Sequence, residues 1–90
     1  MANAPSKPPV DFSTLLLSIA TSAGESFEAA AAGGPDAASA VAMGQHSLDL
    51  LSLLEDKTVG NLTGEEERLL SQLLFDLRLK LLEVSKTPSA

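Results

Sequence analysis

The stretch from Leu48 to Val84, LDLLSLLEDKTVGNLTGEEERLLSQLLFDLRLKLLEV, constrains the fold more than any other part of the chain. Its leucines recur at three- and four-residue spacing on both sides of a short polar break, which predicts two amphipathic helices joined by a turn. The break carries specific signals. Gly60 has no Cβ and can take the left-handed conformation that ends a helix. Lys57 sits in the turn before it, where a cation meets the negative end of the helix dipole. Thr63 begins the next helix and forms a capping box with Glu66. Its hydroxyl accepts from the backbone N–H of Glu66, and the Glu66 carboxylate accepts from the N–H of Thr63. Glu65, Glu66 and Glu67 then read as a charged first turn facing the positive end of the dipole. They do not read as a cation site, because three adjacent carboxylates on one turn splay apart.

The preceding chain extends this pattern to a third helix. Asp11 is placed to cap it. Phe12, Leu15, Leu16, Ile19, Ala23, Phe27 and Ala30 form one apolar face, opposite Thr14, Ser18, Thr21, Glu25 and Glu28. Small residues (Ser18, Ala20, Ser22, Ala23 and Gly24) permit close approach of another helix, read as ordinary packing before a dedicated dimer seam. Gly24 weakens a helix by roughly 1 kcal/mol relative to Ala, and marks a possible kink or early end. Gly33-Gly34-Pro35-Asp36 is a break, after which Pro35 or Asp36 can start the next helix. So short a connection makes the two helices antiparallel neighbours. The expectation is an all-α domain over residues 11–85, with helices at about 11–32, 36–58 and 64–85. It is a three-helix antiparallel bundle or helical hairpin completed by self-association. Residues 1–10, with Pro5, Pro8 and Pro9, and residues 86–90 are expected to be disordered tails.

The apolar surface exceeds what one such bundle needs. In the second helix Gln45, Asp49, Ser52 and Asp56 form a polar strip, and leucines, including Leu50 and Leu53, cover most of the rest. In the third, Leu70, Leu73, Leu74, Leu77, Leu81 and Val84 make a core face. Phe75, Leu79 and Leu82 fall at i, i+4 and i+7 on nearly the opposite side. Exposed, these three form a patch of the kind that marks an interface; in a compact monomer the N-terminal helix would cover them. With three Phe and no Trp or Tyr in 90 residues, the core rests on aliphatic side chains. So small a core leaves a lone monomer marginal. Asp76 and Lys80, and Arg68 with Gln72, are spaced to support the helix at i, i+4.

Composition removes several function classes. The chain has no Cys, hence no disulfide framework, thiolate metal site or Cys nucleophile. Its net charge of −6, with no basic stripe, disfavours nucleic acid. No apolar run reaches the ~18 residues of a membrane span, and the N-terminus lacks the hydrophobic segment of a secretory signal, so the cytoplasm is expected. His46, the one histidine, has no second His or Ser–Asp constellation near it in the pattern and reads as a boundary residue. Asp76 and Arg78 are two residues apart and do not face one another. No catalytic, cofactor or metal residues are predicted.

Two segments, DFSTLLLSIATSA (Asp11 to Ala23) and Leu48 to Val84, resemble a small bacterial family known only as domain of unknown function 1844. The order DFSTLL, EDKT-x-GNLT-x-EE, DLR carries the resemblance. The chain departs from the family pattern at Val59, where Lys is usual, at Leu81-Leu82, and between Gly24 and Ala42. The resemblance implies a short bacterial helical protein and supplies no reaction, ligand or catalytic residue. The reading favoured is a non-enzymatic interaction or structural module, a homo-oligomer with a dimer favoured, with an unknown protein partner as a further possibility. Interface candidates are Phe75, Leu79, Leu82, Leu50 and Leu53; Gly60, Thr63 and Glu66 form the capping turn. The alternatives are a peripheral membrane or regulatory adaptor using the same stripe and, less favoured, an enzyme.

Overall fold

A computed structural model describes residues 10–85. Three helices follow in order: α1 (Phe12–Ala31), α2 (Ala37–Lys57) and α3 (Gly64–Ser85). Each packs on both others, and α1 and α2 share the most extensive seam. The result is a three-helix bundle, with α1 folded back within its own chain. The two terminal stretches expected to be disordered lie outside the described residues, apart from Val10, which is exposed.

Local chemistry sets where each helix begins and ends. Asp11 has extended backbone geometry and caps α1, its Oδ1 accepting from the backbone N–H (2.8 Å) and hydroxyl (2.7 Å) of Thr14. Those bonds, the hydroxyl first, lower the Asp11 pKa from its ordinary value of 3.8. Gly24 does not end the helix, which runs on to Ala31. Gly33 and Gly34, both at positive φ, then reverse the chain. Asp36 stands at the start of α2 but its side chain makes no capping bond. The helix ends at Thr58, whose N–H and hydroxyl both donate to the Leu54 carbonyl (3.0 and 2.6 Å). Gly60 adopts its left-handed φ of 84° two residues later, inside a turn closed by Asn61 N–H donating to the Thr58 carbonyl (2.9 Å). The capping box forms as read. Thr63 N–H donates to Glu66 Oε1 (2.9 Å) and Glu66 N–H donates to Thr63 Oγ1 (3.1 Å).

The core is almost entirely aliphatic. Leu16, Ala20, Ala23 and Phe27 from α1 meet Leu48 and Leu51 from α2 and Leu70, Leu74 and Leu77 from α3. Ile19, Leu54, Leu73, Leu81 and Val84 pack half-buried around them. No polar side chain among the described residues is buried. The face assigned to α3 is therefore the face it buries. On α1 the structure corrects one position: Leu15 is exposed, and Ala20 takes a place in the core instead. The helix turns by 100° per residue, and the direction of α2 and α3 selects Ala20 over Leu15 at the two edges of the apolar arc.

One contact in the bundle leaves no sign in the hydrophobic pattern. Gly44, in the middle of α2, is buried, and the Phe27 ring of α1 lies directly over it. A Cβ there would sit 2.6 Å from Phe27 Cδ1 and 2.9 Å from Cζ, inside contact distance. Glycine is what lets the largest core side chain seat against the backbone of the neighbouring helix.

Candidate interaction surface

Because the inner face of α3 is spent on the core, its other apolar residues have nowhere to go within the chain. Phe75 is 60% exposed, Leu79 46% and Leu82 54%. At 100° per residue their mean direction lies roughly 160° from the core face. Helix α1 does not cover them, so burial in a compact monomer is not their explanation. On α2, Leu50 is 38% and Leu53 51% exposed, and Met43 on the same side is exposed too. The leucine arc of α2 is thus wider than the bundle fills. All five residues proposed from the sequence as interface candidates are open to solvent.

The polar residues around the α3 stripe are engaged locally. Asp76 accepts from Gln72 Nε2 (2.9 Å), one turn back, and does not pair with Lys80. Leu77, between Asp76 and Arg78, points into the core, and Arg78 Nη2 donates to Ser52 Oγ of α2 (3.2 Å). The Asp76-Leu77-Arg78 segment therefore has a structural reading. One residue anchors α3, one links it to α2, and one braces its own helix. Gln45 Nε2 and Asp49 Oδ1 make a similar brace on α2 (2.9 Å).

The depressions between helices are shallow and carry little chemistry. One is lined by Phe27, Glu28, Ala31, Lys80, Glu83 and Val84. Another places exposed His46 beside Ser22, Ser26, Met43 and Ser47. No carboxylate lines that depression, so none of its lining residues could orient the imidazole in the way nucleophilic or general-base chemistry uses. Among the described residues no three His, Asp or Glu side chains gather in a metal-binding arrangement. No described helix is long and apolar enough to cross a membrane.

A family model described as Domain of unknown function (DUF1844) matches residues 9–83, which take in all of α1 and α2 and nearly all of α3. The match runs through the α1–α2 connection, within the stretch between Gly24 and Ala42 that departs from the family pattern. No curated protein and no solved structure matches the chain.

Proposed function

The chain belongs to the DUF1844 family, whose description names no activity, and we propose that it acts without catalysis, as a helical module that self-associates through α3 and part of α2. The observation that carries this reading is the exposed stripe of Phe75, Leu79 and Leu82. Full burial of such a side chain is worth about 1.5–3 kcal/mol relative to full exposure, and covering these three, about half exposed already, would gain roughly half of that each, which favours a covered state. Leu50 and Leu53 widen the apolar surface on α2. A dimer is the simplest assembly that covers a face of this size, since two-fold pairing uses the same patch on both copies. We place this role in the cytoplasm. Adsorption of the same stripe to a membrane surface is the weaker reading, because Asp76 and Glu83 fill one border of the stripe and Arg78 is the one cation on the other, where interfacial helices carry a surplus of Lys and Arg.

The test is the absolute mass in solution, by light scattering over a dilution series, of the native chain and of the Phe75→Asp, Leu79→Asp double variant. The native chain should show a dimer mass that falls on dilution. The variant should be monomeric with the same helicity, since neither position enters the core. Unchanged mass, helicity and stability in the variant would remove the stripe from any role in assembly.

A further inference from the structure

The exposed residues of α3 have a finer pattern than a patch. Phe75, Leu79 and Leu82 are spaced four and then three apart, one period of a coiled-coil seam. Placing Leu79 at position a puts Phe75 and Leu82 at d. The residues that border such a seam, e and g, are then fixed. On one border stand Ser71, Arg78 and Ser85; on the other stand Asp76 and Glu83. One border is neutral to basic and the other is acidic, and all five residues are exposed.

That asymmetry decides between orientations. In a parallel pair of helices, each g residue meets the e residue five positions on in the other copy. Arg78 then faces Glu83 of the second copy, twice by symmetry, and Ser71 faces Asp76. In an antiparallel pair, like borders meet: Arg78 against Arg78, and Asp76 against Glu83. The first arrangement is complementary and the second repulsive. We infer that α3 pairs in parallel with α3 of a second copy of this chain, Phe75, Leu79 and Leu82 forming the seam and Arg78–Glu83 pairs setting its direction. This rests on the self-association proposed above and specifies its geometry.

The surrounding structure is compatible with that pairing. Helices α1 and α2 pack on the other side of α3, leaving the seam clear. Arg78 spends one of its five donors on Ser52 and has others to offer a carboxylate. Towards the N-terminus the seam positions become Gln72 and Arg68, and two facing Arg68 side chains would push the helices apart. The apolar contact is therefore confined to the C-terminal half of α3, and the dimer is a dissociating one. The α2 surface has no such code. Met43, Leu50 and Leu53 share a face with His46 at the same spacing, but the charged residues bordering it, Asp49 and Asp56, lie on one side with no basic residue opposite.

The chain has no cysteine, so a single introduced thiol reports on one contact. We expect Leu82→Cys alone, and Phe75→Cys alone, each to form disulfide-linked dimers under mild oxidation. Mixing the two should give no preference for the mixed dimer. An antiparallel pair centred on Leu79 would do the reverse, linking the mixture and neither variant alone, and would overturn the proposal while leaving self-association standing. Charge swaps supply an independent readout by light scattering. R78E should raise the dimer dissociation constant about tenfold, because two attractions become two repulsions. R78E/E83R should restore it, although the Ser52 contact stays lost. A dimer that links in neither arrangement, or whose double swap fails to recover, overturns the parallel geometry alone. A native chain that is monomeric at every concentration overturns both this and the self-association reading.

Discussion

The two faces of α3 are built from the same material and have opposite fates. Leu70, Leu74 and Leu77 on one side are buried, while Phe75, Leu79 and Leu82 on the other are open. Residue type, helix propensity and spacing are nearly alike. The difference lies in what stands next to each face. Packing against α1 and α2 turns leucines into core on one side, and its absence leaves them as unused surface on the other. An apolar stripe is thus a demand for a neighbour, and the fold meets only one of the two demands within a single chain.

The largest effect expected is the cost of breaking the inner face. Leu74→Ala removes a fully buried side chain from the centre of the three-helix contact. It should destabilise the fold by about 2–5 kcal/mol, measured by urea unfolding. The neighbouring Phe75→Ala should leave the unfolding of dilute monomer within about 0.5 kcal/mol of native while weakening assembly. If Phe75→Ala matched Leu74→Ala in dilute solution, the outer stripe would be packed within the chain, and the contrast between the faces would collapse.

A second pair of substitutions sharpens the same contrast by adding the same methyl group at two sites. Gly44 lies on the inner face of α2 beneath Phe27, and Gly24 lies in α1 with no side-chain or distant atom within 4 Å of where a Cβ would stand. Alanine favours a helix interior over glycine by roughly 1 kcal/mol at either site. At Gly24 that gain should appear nearly whole, raising stability by up to about 1 kcal/mol. At Gly44 the methyl collides with the Phe27 ring, and overpacking of about 1–3 kcal/mol should reverse the sign. Thermal unfolding of both variants decides the matter. A stabilised Gly44→Ala would mean that the ring moves aside freely and that the α1–α2 approach does not depend on glycine.

What the sequence made legible follows from the range of each interaction. The capping box at Thr63 and Glu66 and the inner face of α3 depend on residues three or four apart, and both stand in the structure as read. The closing turn at Gly60 is also local, and its positive φ was foreseeable from the absence of a Cβ. Leu15 and Ala20 sit at the edges of one arc, and the positions of α2 and α3, which the sequence does not carry, decide which edge is buried. The role of Gly44 is not legible in the sequence, because it exists only relative to Phe27, a residue on another helix. The sequence did show a second stripe on α3. It could not show whether α1 covers it, since that depends on how the helices settle together. The stripe's heptad borders at Arg78, Asp76 and Glu83 were legible in principle; they gain meaning only once the stripe is known to be exposed.

The smallest effects belong to the helix starts, which lie on the outer surface and yet are not silent. The three starts form a graded series. Thr63 and Glu66 bond reciprocally, Asp11 accepts two bonds from Thr14, and the Asp36 side chain makes no capping bond. Thr63→Ala should cost about 1 kcal/mol, whereas Asp36→Ala should cost only a few tenths, both read by urea unfolding. Asp11 adds a pH signature that Thr63 cannot have. Its folded pKa lies below its ordinary value because the Thr14 hydroxyl and then the Thr14 N–H donate to the carboxylate, against a small opposing effect of burial. A lowered folded pKa means a contribution that is present above the ordinary carboxylate value and disappears as pH falls through the lowered one. On acidification the amide of Thr14 should therefore lose hydrogen-exchange protection as Asp11 protonates, before the amides at the centre of α1 do. Equal protection of both down to the acid transition of the whole domain would mean that the start of α1 is held by core packing around Phe12 and Leu16, with the cap contributing nothing separable.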